Sequence, residues 1–525
     1  MSDNPALELR VDQYIDSLAP GIRRTRRPPQ WPPDIFAVSA ALLQRSGAYT
    51  AIVRKRIADE DWQNELRAVA AEWRTVFETS VPDKITAWWN LVKKKGKLLV
   101  EDVHRDDALV VALLKLVCIS DAASEGIGII GNETDRVFED AWFDALENSQ
   151  NRTCCIEVSP DRVVVLPKVH KPRSGMTMRC LSHNLALYQP GEVVPQWHNF
   201  PSFENHAGLR LLLLPWPLEL TSDCIYQSDG TDIPMPEQFG FFTCDTRRDR
   251  RPILADVEKA LEAAEKNGPI DAILFPEGAL VGDEYIQIAR ATKKLVIGGV
   301  GTPARTGLPG RNEAAFAIPA GNNIQFTWKQ SKHHRWRIDP PQIRQYELSL
   351  RDDRDWWEDI DIDPRSVYFL SMNKWLTLTV LICEDLARLD PVADLMRSVG
   401  PSLVVTLLLD GPQLTTRWPA RYATVLAEDP GSSVLTLTSA GMARLSKPPV
   451  PPKKSEQSNT VIALWKDAKS AAVPIVLKQG SVGVVLELER EFFNEWSADG
   501  RQGETAYLLC RGKDREQVRL PGRTK

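Results

Sequence analysis

Three residues that lie far apart in this 525-residue sequence carry a thiol, a carboxylate and an ammonium group at the ends of apolar runs. Cys383 follows the run Leu376–Ile382 and precedes Glu384 and Asp385. A sharp turn from strand to helix exposes a nucleophile and points free backbone N–H groups at a developing oxyanion. Cys383 is therefore a candidate nucleophile, although a cysteine at a buried strand end is more often an inert small hydrophobe.

The carboxylate and the ammonium group occupy similar positions earlier in the chain. Glu277 comes after the apolar run Ala272–Phe275 and a proline, at the lip of a core strand, where the sites of α/β proteins gather. Lys332 lies just beyond a strand predicted at Ile324–Trp328. Taken singly, the first could be a carboxylate at a helix start and the second a surface charge.

The order and setting of the three residues resemble the nitrilase superfamily of carbon–nitrogen hydrolases. The resemblance is carried by Leu274-Phe275-Pro276-Glu277, by Lys332-His333-His334 and by Leu381-Ile382-Cys383-Glu384-Asp385. The spacings of 55 and 51 residues between Glu277, Lys332 and Cys383 suit that family. The segments Ser398–Val405 and Val434–Gly441 resemble the strands that follow its nucleophile, so the resemblance covers about residues 205–510.

The resemblance implies a four-layer αββα sandwich that hydrolyses a carbon–nitrogen bond other than a peptide bond, in an amide or a nitrile. It implies that Glu277 is the base, that Cys383 forms a thioester and that Lys332 stabilises the oxyanion. A cation beside a thiol favours the thiolate, which agrees with this arrangement. A small-molecule amide or nitrile is the expected substrate, and no cofactor or metal is expected.

Two assignments within this pattern stay open. Lys329 competes with Lys332, which we prefer because His334 then completes the family's lysine-x-histidine. Many members also carry a second glutamate between the lysine and the cysteine, and Glu347 and Glu358 are both candidates.

The long segment Arg337–Met372 lies between two of the candidate catalytic residues and holds Trp356 and Trp357. Its position predicts that it shapes the substrate pocket. The competing hypothesis is a catalytically silent nitrilase-like scaffold in a larger assembly, because a fold does not fix a function. Convergence of Cys383, Glu277 and Lys332 at about hydrogen-bonding reach would favour the enzyme.

The chain is too long for one core and divides into three predicted parts. Residues 1–32 are predicted to be a flexible basic and proline-rich tail that includes Arg23–Arg27. Residues 33–204 are predicted to form a mostly helical accessory domain with short strands, from apolar spacing such as that in Leu109–Val117. Residues 205–525 alternate strands and helices and form the nitrilase-like domain, with a mixed sheet and an exposed loop at Lys447–Ser458.

The composition is that of a soluble globular protein, with 43% hydrophobic and 26% charged residues and a net charge of −5. The small net charge argues against a dedicated nucleic-acid binder. A weaker hypothesis places nucleic acid on Arg23–Arg27 and on the basic cluster Lys168–Arg179. Eight scattered cysteines without a CxxC pair indicate reduced thiols in a cytoplasmic protein.

The partner predictions follow mainly from the resemblance. Members of the family pair through helices, so a homo-oligomer is expected. Long chains with a divergent nitrilase-like domain and an added module resemble proteins of bacterial antiviral defence, which predicts a protein partner for the N-terminal domain. The sequence has no apolar run of about 20 residues, so no membrane span is expected.

Overall fold

The computed structural model describes residues 9–22, 27–54, 59–129, 136–171, 177–200, 206–229, 236–321, 323–388, 392–447, 460–511 and 515–520. Residues 23–26 of the predicted basic tail and residues 448–458 of the predicted loop lie outside them.

The helices of the described residues fall into two groups along the chain. The N-terminal group is α1 (Val11–Leu18), α2 (Pro32–Ser46), α3 (Ala51–Arg54), α4 (Glu60–Val76), α5 (Asp83–Lys94), α6 (Asp107–Ala123) and α7 (Arg136–Asn148). The later group is α8 (Leu254–Ala264), α9 (Glu284–Thr292), α10 (Pro340–Tyr346), α11 (Asp394–Val399), α12 (Trp418–Glu428) and α13 (Ala440–Leu445).

The strands form two large sheets and two small ones. A sheet of eight strands has the order β10 (Asn323–Ser331), β9 (Arg311–Ala320), β8 (Leu295–Thr302), β7 (Ala272–Leu274), β4 (Gly208–Leu213), β19 (Gly483–Trp496) and β20 (Gln502–Cys510), with β21 (Glu516–Val518) also paired to β19. A sheet of seven has the order β18 (Val473–Val476), β17 (Val461–Lys466), β16 (Ser433–Thr438), β15 (Leu403–Leu408), β14 (Leu376–Ile382), β13 (Arg365–Asn373) and β3 (Val193–Asn199). The small sheets are β11 (Arg337–Ile338), β12 (Asp355–Glu358), β6 (Phe239–Cys244) and β5 (Ile225–Gln227), and the pair β1 (Val164–Pro167) with β2 (Leu185–Tyr188).

The two large sheets stack face to face. Successive residues of a strand point to opposite faces of its sheet, so each sheet can pack on the other sheet with one face and on helices with the other. Leu211 and Leu213 of β4 pack with Val405 and Leu407 of β15 in one buried core between the sheets. Leu212, their neighbour on β4, instead joins a second core with α8 and α9 on the outer face. Helices α11 and α12 cover the outer face of the other sheet. The predicted four-layer αββα sandwich is thus confirmed.

The N-terminal helices pack directly on the sandwich. The first of them, α1, lies within residues 1–32, which were predicted to be a flexible tail. Val11, Ile15 and Leu18 of α1 are buried, because their spacing puts them on one helix face against the module's core. That core continues into the seven-stranded sheet through Leu381 and Val404. The described part of the segment before residue 23 therefore belongs to the folded module.

The sandwich also takes a strand from the segment predicted to belong to the accessory domain. Strand β3 (Val193–Asn199) runs parallel to β13 with seven paired residues and forms an edge of the seven-stranded sheet. The module and the sandwich therefore share a sheet as well as a core.

A buried ion cluster ties the module to the tip of the β19–β20 hairpin. Arg501 donates to Asp121 of α6 at 2.7 Å and to Asp499 at 2.8 Å. Asp121 also accepts the backbone N–H groups of His183, Asn184 and Leu185. The two carboxylates are fully buried, so Arg501 supplies the charge that makes their burial tolerable.

Within the described residues, no helix is both long and apolar enough to cross a bilayer.

Candidate active site

Glu277 lies directly beyond β7, in a loop held tightly against the neighbouring strand β8. The N–H of Gly299 donates to Pro276 O at 3.1 Å, and a Cβ at position 299 would lie only 2.4 Å from Glu277 Cα. Glycine at 299 therefore permits the close approach that fixes Glu277. The Glu277 side chain is 2% exposed.

Lys332 lies one residue beyond β10 and reaches Glu277. Its Nζ donates to Glu277 Oε1 at 2.8 Å, and its backbone N–H donates to Asn312 O at 2.8 Å. The competing Lys329 lies elsewhere: its side chain is 32% exposed, 3.4 Å from Glu313, and near the ring of Tyr285. Of the two lysines, the structure brings Lys332 to Glu277.

The second glutamate beside Lys332 is Glu358, the last residue of β12. Its Oε2 accepts from Lys332 Nζ at 2.8 Å and from the backbone N–H of Trp336 at 3.0 Å. Glu347 is 59% exposed and pairs with Lys447 at the surface. Glu358 reaches the site because β12 runs parallel to β6 at this edge, a long-range pairing that the sequence pattern did not indicate.

Asn312, at the start of β9, completes the cluster and was missed by the sequence analysis. Its side-chain nitrogen donates to Glu277 Oε1 at 2.7 Å and to Glu358 Oε1 at 2.8 Å. One polar side chain thus joins the two carboxylates that flank Lys332. A signal existed in the polar triplet Arg311-Asn312-Glu313 that opens an otherwise apolar strand.

Cys383 follows β14 at the turn predicted from its sequence. Its φ of 47° lies in the left-handed region, which costs a non-glycine residue roughly 1–3 kcal/mol and is often found at functional sites. A short 3₁₀ helix, Cys383–Leu386, begins at the cysteine. The residue is 5% exposed and belongs to the core between the two large sheets, so the turn buries the thiol.

The charges of the cluster act on the thiol. Burial and the Glu277 carboxylate raise the pKa of Cys383 well above its ordinary value, and the charge of Lys332 opposes them only in part. The resting thiol is therefore protonated, and its reaction requires a base. Burial raises the pKa of Glu277 as well, against the opposing charge of Lys332. A carboxylate with a raised pKa is a stronger base than an exposed one.

Lys332 keeps its charge despite complete burial. Burial alone would lower its pKa, but the carboxylates of Glu277 and Glu358, followed by the nearby Cys383, hold the pKa of Lys332 well above the ordinary value. A buried cation thus lies 2.8 Å from Glu277 Oε1 and also acts electrostatically on the Cys383 thiol. Such a cation is suited to a developing oxyanion.

Asp385 links the lysine segment to the cysteine turn. Its buried carboxylate accepts the backbone N–H of His333 at 3.1 Å, and its Oδ1 lies 3.0 Å from His334 Nδ1. His334, used in the sequence analysis to choose the lysine, therefore has a structural partner two residues beyond Cys383. This bridge fixes the segment after Lys332 and the turn at Cys383 relative to each other.

A cavity of about 30 Å³ adjoins the cluster. Its wall includes Glu277, Asn312, Glu358, Cys244, Thr246 and Arg311. The segment Arg337–Met372 contributes Glu358, Asp359 and Ile360 to this wall. Trp356, expected to shape the pocket, is instead a core residue that is 2% exposed and packs against Gly240.

The described residues of the basic cluster considered for nucleic acid do not form a free charged surface. Lys168 and Lys171 are 8% and 4% exposed, and Arg179 pairs with Asp429. Lys168 donates to Ser182 O at 3.1 Å, and Lys171 donates to Glu495 at 3.1 Å. Arg173 lies outside the described residues.

No protein-family model matches the sequence, and no curated protein matches it. Solved structures do resemble the chain. Saccharomyces cerevisiae Nit3, a member of branch 10 of the nitrilase superfamily, is 12% identical with a TM-score of 0.33, and the match covers 54% of this chain and 90% of that one. A CN-hydrolase superfamily protein from Xanthomonas campestris is 14% identical with a TM-score of 0.28, covering 57% and 90%.

A mutant of an amidase from Nesterenkonia sp., with the acetamide moiety of fluoroacetamide added at its active-site cysteine, is 11% identical with a TM-score of 0.30, covering 58% and 92%. At these identities the likeness concerns the fold alone. The layers described above are those of a nitrilase-type α/β sandwich.

Proposed function

We propose that this protein hydrolyses a non-peptide carbon–nitrogen bond through a thioester on Cys383. One observation carries the proposal: Glu277, Lys332 and Glu358 form a buried hydrogen-bonded cluster, and the charges of Glu277 and Lys332 shift the pKa of the Cys383 thiol in opposite directions. Burying three charged groups is costly unless each is paired, and a purely structural core would be as stable with apolar residues. The burial of these three charged groups therefore supports a role in chemistry.

The proposed reaction assigns one role to each residue. Glu277 takes the thiol proton, and the Cys383 sulfur attacks the carbon of the substrate. Lys332 stabilises the negative charge that forms on the carbonyl oxygen. Glu277 returns the proton to the leaving nitrogen, ammonia or an amine departs, and water then hydrolyses the thioester. Glu358 and Asn312 are positioning residues, because they contact Lys332 and Glu277 and hold both in place.

Intact-mass measurement after incubation with a metabolite pool tests this proposal. We expect a thioester adduct on the wild-type protein, no adduct on Cys383→Ala, and no turnover by Glu277→Gln. A matched control is Cys510→Ala, because Cys510 lies at the end of β20 and outside the cluster. Adducts that persist in Cys383→Ala would contradict the assignment and favour the silent scaffold.

The remaining proposals rest on the resemblance and on composition. They are a cytoplasmic location, for which the eight scattered cysteines without a CxxC pair are the reason, self-association, a protein partner for the helical module and a role in bacterial defence. Light scattering of the purified protein would test self-association, and co-purification with the module as bait would test the partner.

A further inference from the structure

A cavity of about 610 Å³ lies between the helical module and the sandwich, away from the candidate active site. The turn between β13 and β14 supplies Lys374 and Trp375 to its wall, whereas Cys383 follows the other end of β14. A strand of that length spans roughly 20 Å, so the cavity and the thiol lie at opposite ends of the sheet. Cavities of several hundred cubic ångströms at domain junctions are typical of small-molecule sites.

The wall of this cavity holds more basic than acidic side chains. The basic residues are Arg67, Lys168, Lys171, Lys374 and Arg501, and the acidic ones are Glu125 and Glu504. Two of the cations have carboxylate partners that do not line the cavity: Lys171 pairs with Glu495, and Arg501 pairs with Asp121 and Asp499. The excess positive charge therefore belongs to the other three cations.

Lys168 is a buried cation of this wall without a carboxylate partner. It is 8% exposed, and its Nζ donates to Ser182 O and to Ser182 Oγ at 3.1 Å each, and also to Arg179 O. All of these acceptors are uncharged. Burial lowers the pKa of Lys168 to about 7, and the charge of Asp121 opposes this only in part. A buried charge is costly unless it is paired, so an anion in the cavity would stabilise the ammonium form.

Arg67 and Lys374 add exposed positive charge from the two parts of the chain. Arg67 lies on α4 of the module and donates to Asn64 Oδ1 at 2.8 Å and to Gln63 O at 3.3 Å, which are again uncharged acceptors. Lys374 lies on the sandwich, in the turn between β13 and β14. A cleft lined by cations raises the local concentration of anions.

The remaining wall suits an organic body. Trp197, Trp375 and Phe492 supply aromatic surface, and Asn184 and Gln502 supply amide groups that both donate and accept hydrogen bonds. An inorganic ion has the volume of a few water molecules and would fill only a small part of this space. The size and the mixed wall therefore favour a larger anion.

We propose that this cavity binds an organic anion of metabolite size, with its carboxylate or phosphate group next to Lys168 and its body against Trp197 and Trp375. The inference goes beyond the proposed hydrolysis, because the cavity lies at the opposite end of β14 from Cys383. A ligand in this position contacts both the module and the sandwich.

Isothermal titration of the full chain tests the proposal. The organic anions are AMP, glucose 6-phosphate and citrate, inorganic phosphate is the bare anion, and glucose is the neutral control, all at one ionic strength set with sodium chloride. We expect at least one organic anion to bind with a Kd below about 1 mM and at least tenfold more tightly than inorganic phosphate. Absence of saturable binding by all three organic anions would overturn the proposal, and so would equal affinity for inorganic phosphate.

Lys168→Met locates the site. It removes the charge and keeps a similar shape, so it should weaken binding of that anion by about tenfold or more, the effect of one charged contact. Lys259→Met is the control, because Lys259 is exposed on α8 and does not line the cavity, and its affinity should equal that of the wild type.

A second variant keeps the test decisive if circular dichroism shows that Lys168→Met does not fold. Arg67→Gln combined with Lys374→Met changes only exposed side chains of the wall and should weaken binding by about threefold. Wild-type affinity in the folded cavity variant would overturn the assignment of the anion to this cavity.

Discussion

Lys332 Nζ lies 2.8 Å from Glu358 Oε2, and this contact joins the large sandwich to the small four-stranded sheet at its edge. Lys332 follows β10 of the eight-stranded sheet, whereas Glu358 ends β12 of the small one. The small sheet thus supplies one of the two carboxylates that hold the lysine. The small sheet is therefore part of the candidate site.

Glu358→Gln should lower kcat/KM by about ten- to a hundredfold, because a hydrogen bond to a charged group contributes roughly 1.5–3 kcal/mol. Glu347→Gln is the matched control, since Glu347 is the other glutamate of this segment and is exposed. We expect it to leave the rate within about twofold. Equal losses of kcat/KM in the two variants would show that the contact of Glu358 with Lys332 does not support turnover. The assay is hydrolysis of the amide found by mass spectrometry.

Lys332→Met should abolish turnover and also destabilise the fold. It leaves the buried carboxylates of Glu277 and Glu358 without their cation, and removing one partner of a buried pair costs about 3–5 kcal/mol. Lys329→Met removes a partly exposed lysine from the adjoining strand β10 and should change neither property by much. Thermal unfolding and kcat, measured on both variants, separate the two lysines. Retained activity in Lys332→Met would contradict the proposal that Lys332 stabilises the oxyanion.

The pH dependence of kcat/KM should report the raised pKa of Glu277. Its base form is lost as pH falls through that pKa, so the acid limb should lie above the ordinary glutamate value of 4.5. In Glu358→Gln a neighbouring negative charge that raises the pKa is removed, and the limb should move to lower pH. A limb at the same pH in both proteins would mean that Glu277 does not control it.

Arg501→Leu should destabilise the junction between the module and the sandwich. Asp121 and Asp499 would remain buried without a cation, again at a cost of about 3–5 kcal/mol. Arg511→Leu is the control, because Arg511 is 66% exposed and lies 3.4 Å from the partly exposed Glu489. Limited proteolysis and thermal unfolding would detect the loss. Identical behaviour of the two variants would contradict a stabilising role for the cluster.

The sequence allowed the sandwich and the ends of its core strands to be predicted, because buried strands leave long apolar runs. Cys383 and Glu277 were predicted as site residues in this way. The choice of Glu358 over Glu347 could not be made, because it depends on the pairing of β12 with β6, more than 100 residues earlier. Asn312 was missed because its partners come from three different strand ends, and a single asparagine carries no periodic pattern.

The domain boundary predicted at residue 204 differs from the strand pairing for a related reason. Strand β3 has the alternating burial of an ordinary strand, but its partner β13 lies about 170 residues later. A boundary drawn by composition at residue 204 therefore separates a strand from its own sheet. Only the long-range pairing assigns Val193–Asn199 to the sandwich.

This shared strand has a consequence for dissecting the protein. A fragment that starts at residue 205 would expose Arg365–Ser371 of β13 as a new sheet edge, with unpaired N–H and C=O groups next to an apolar face. Open edges of that kind recruit strands from other molecules and lead to aggregation. A fragment that starts at residue 205 should therefore be less soluble than one that starts ahead of Val193, so the smallest useful fragment of the sandwich must begin before β3.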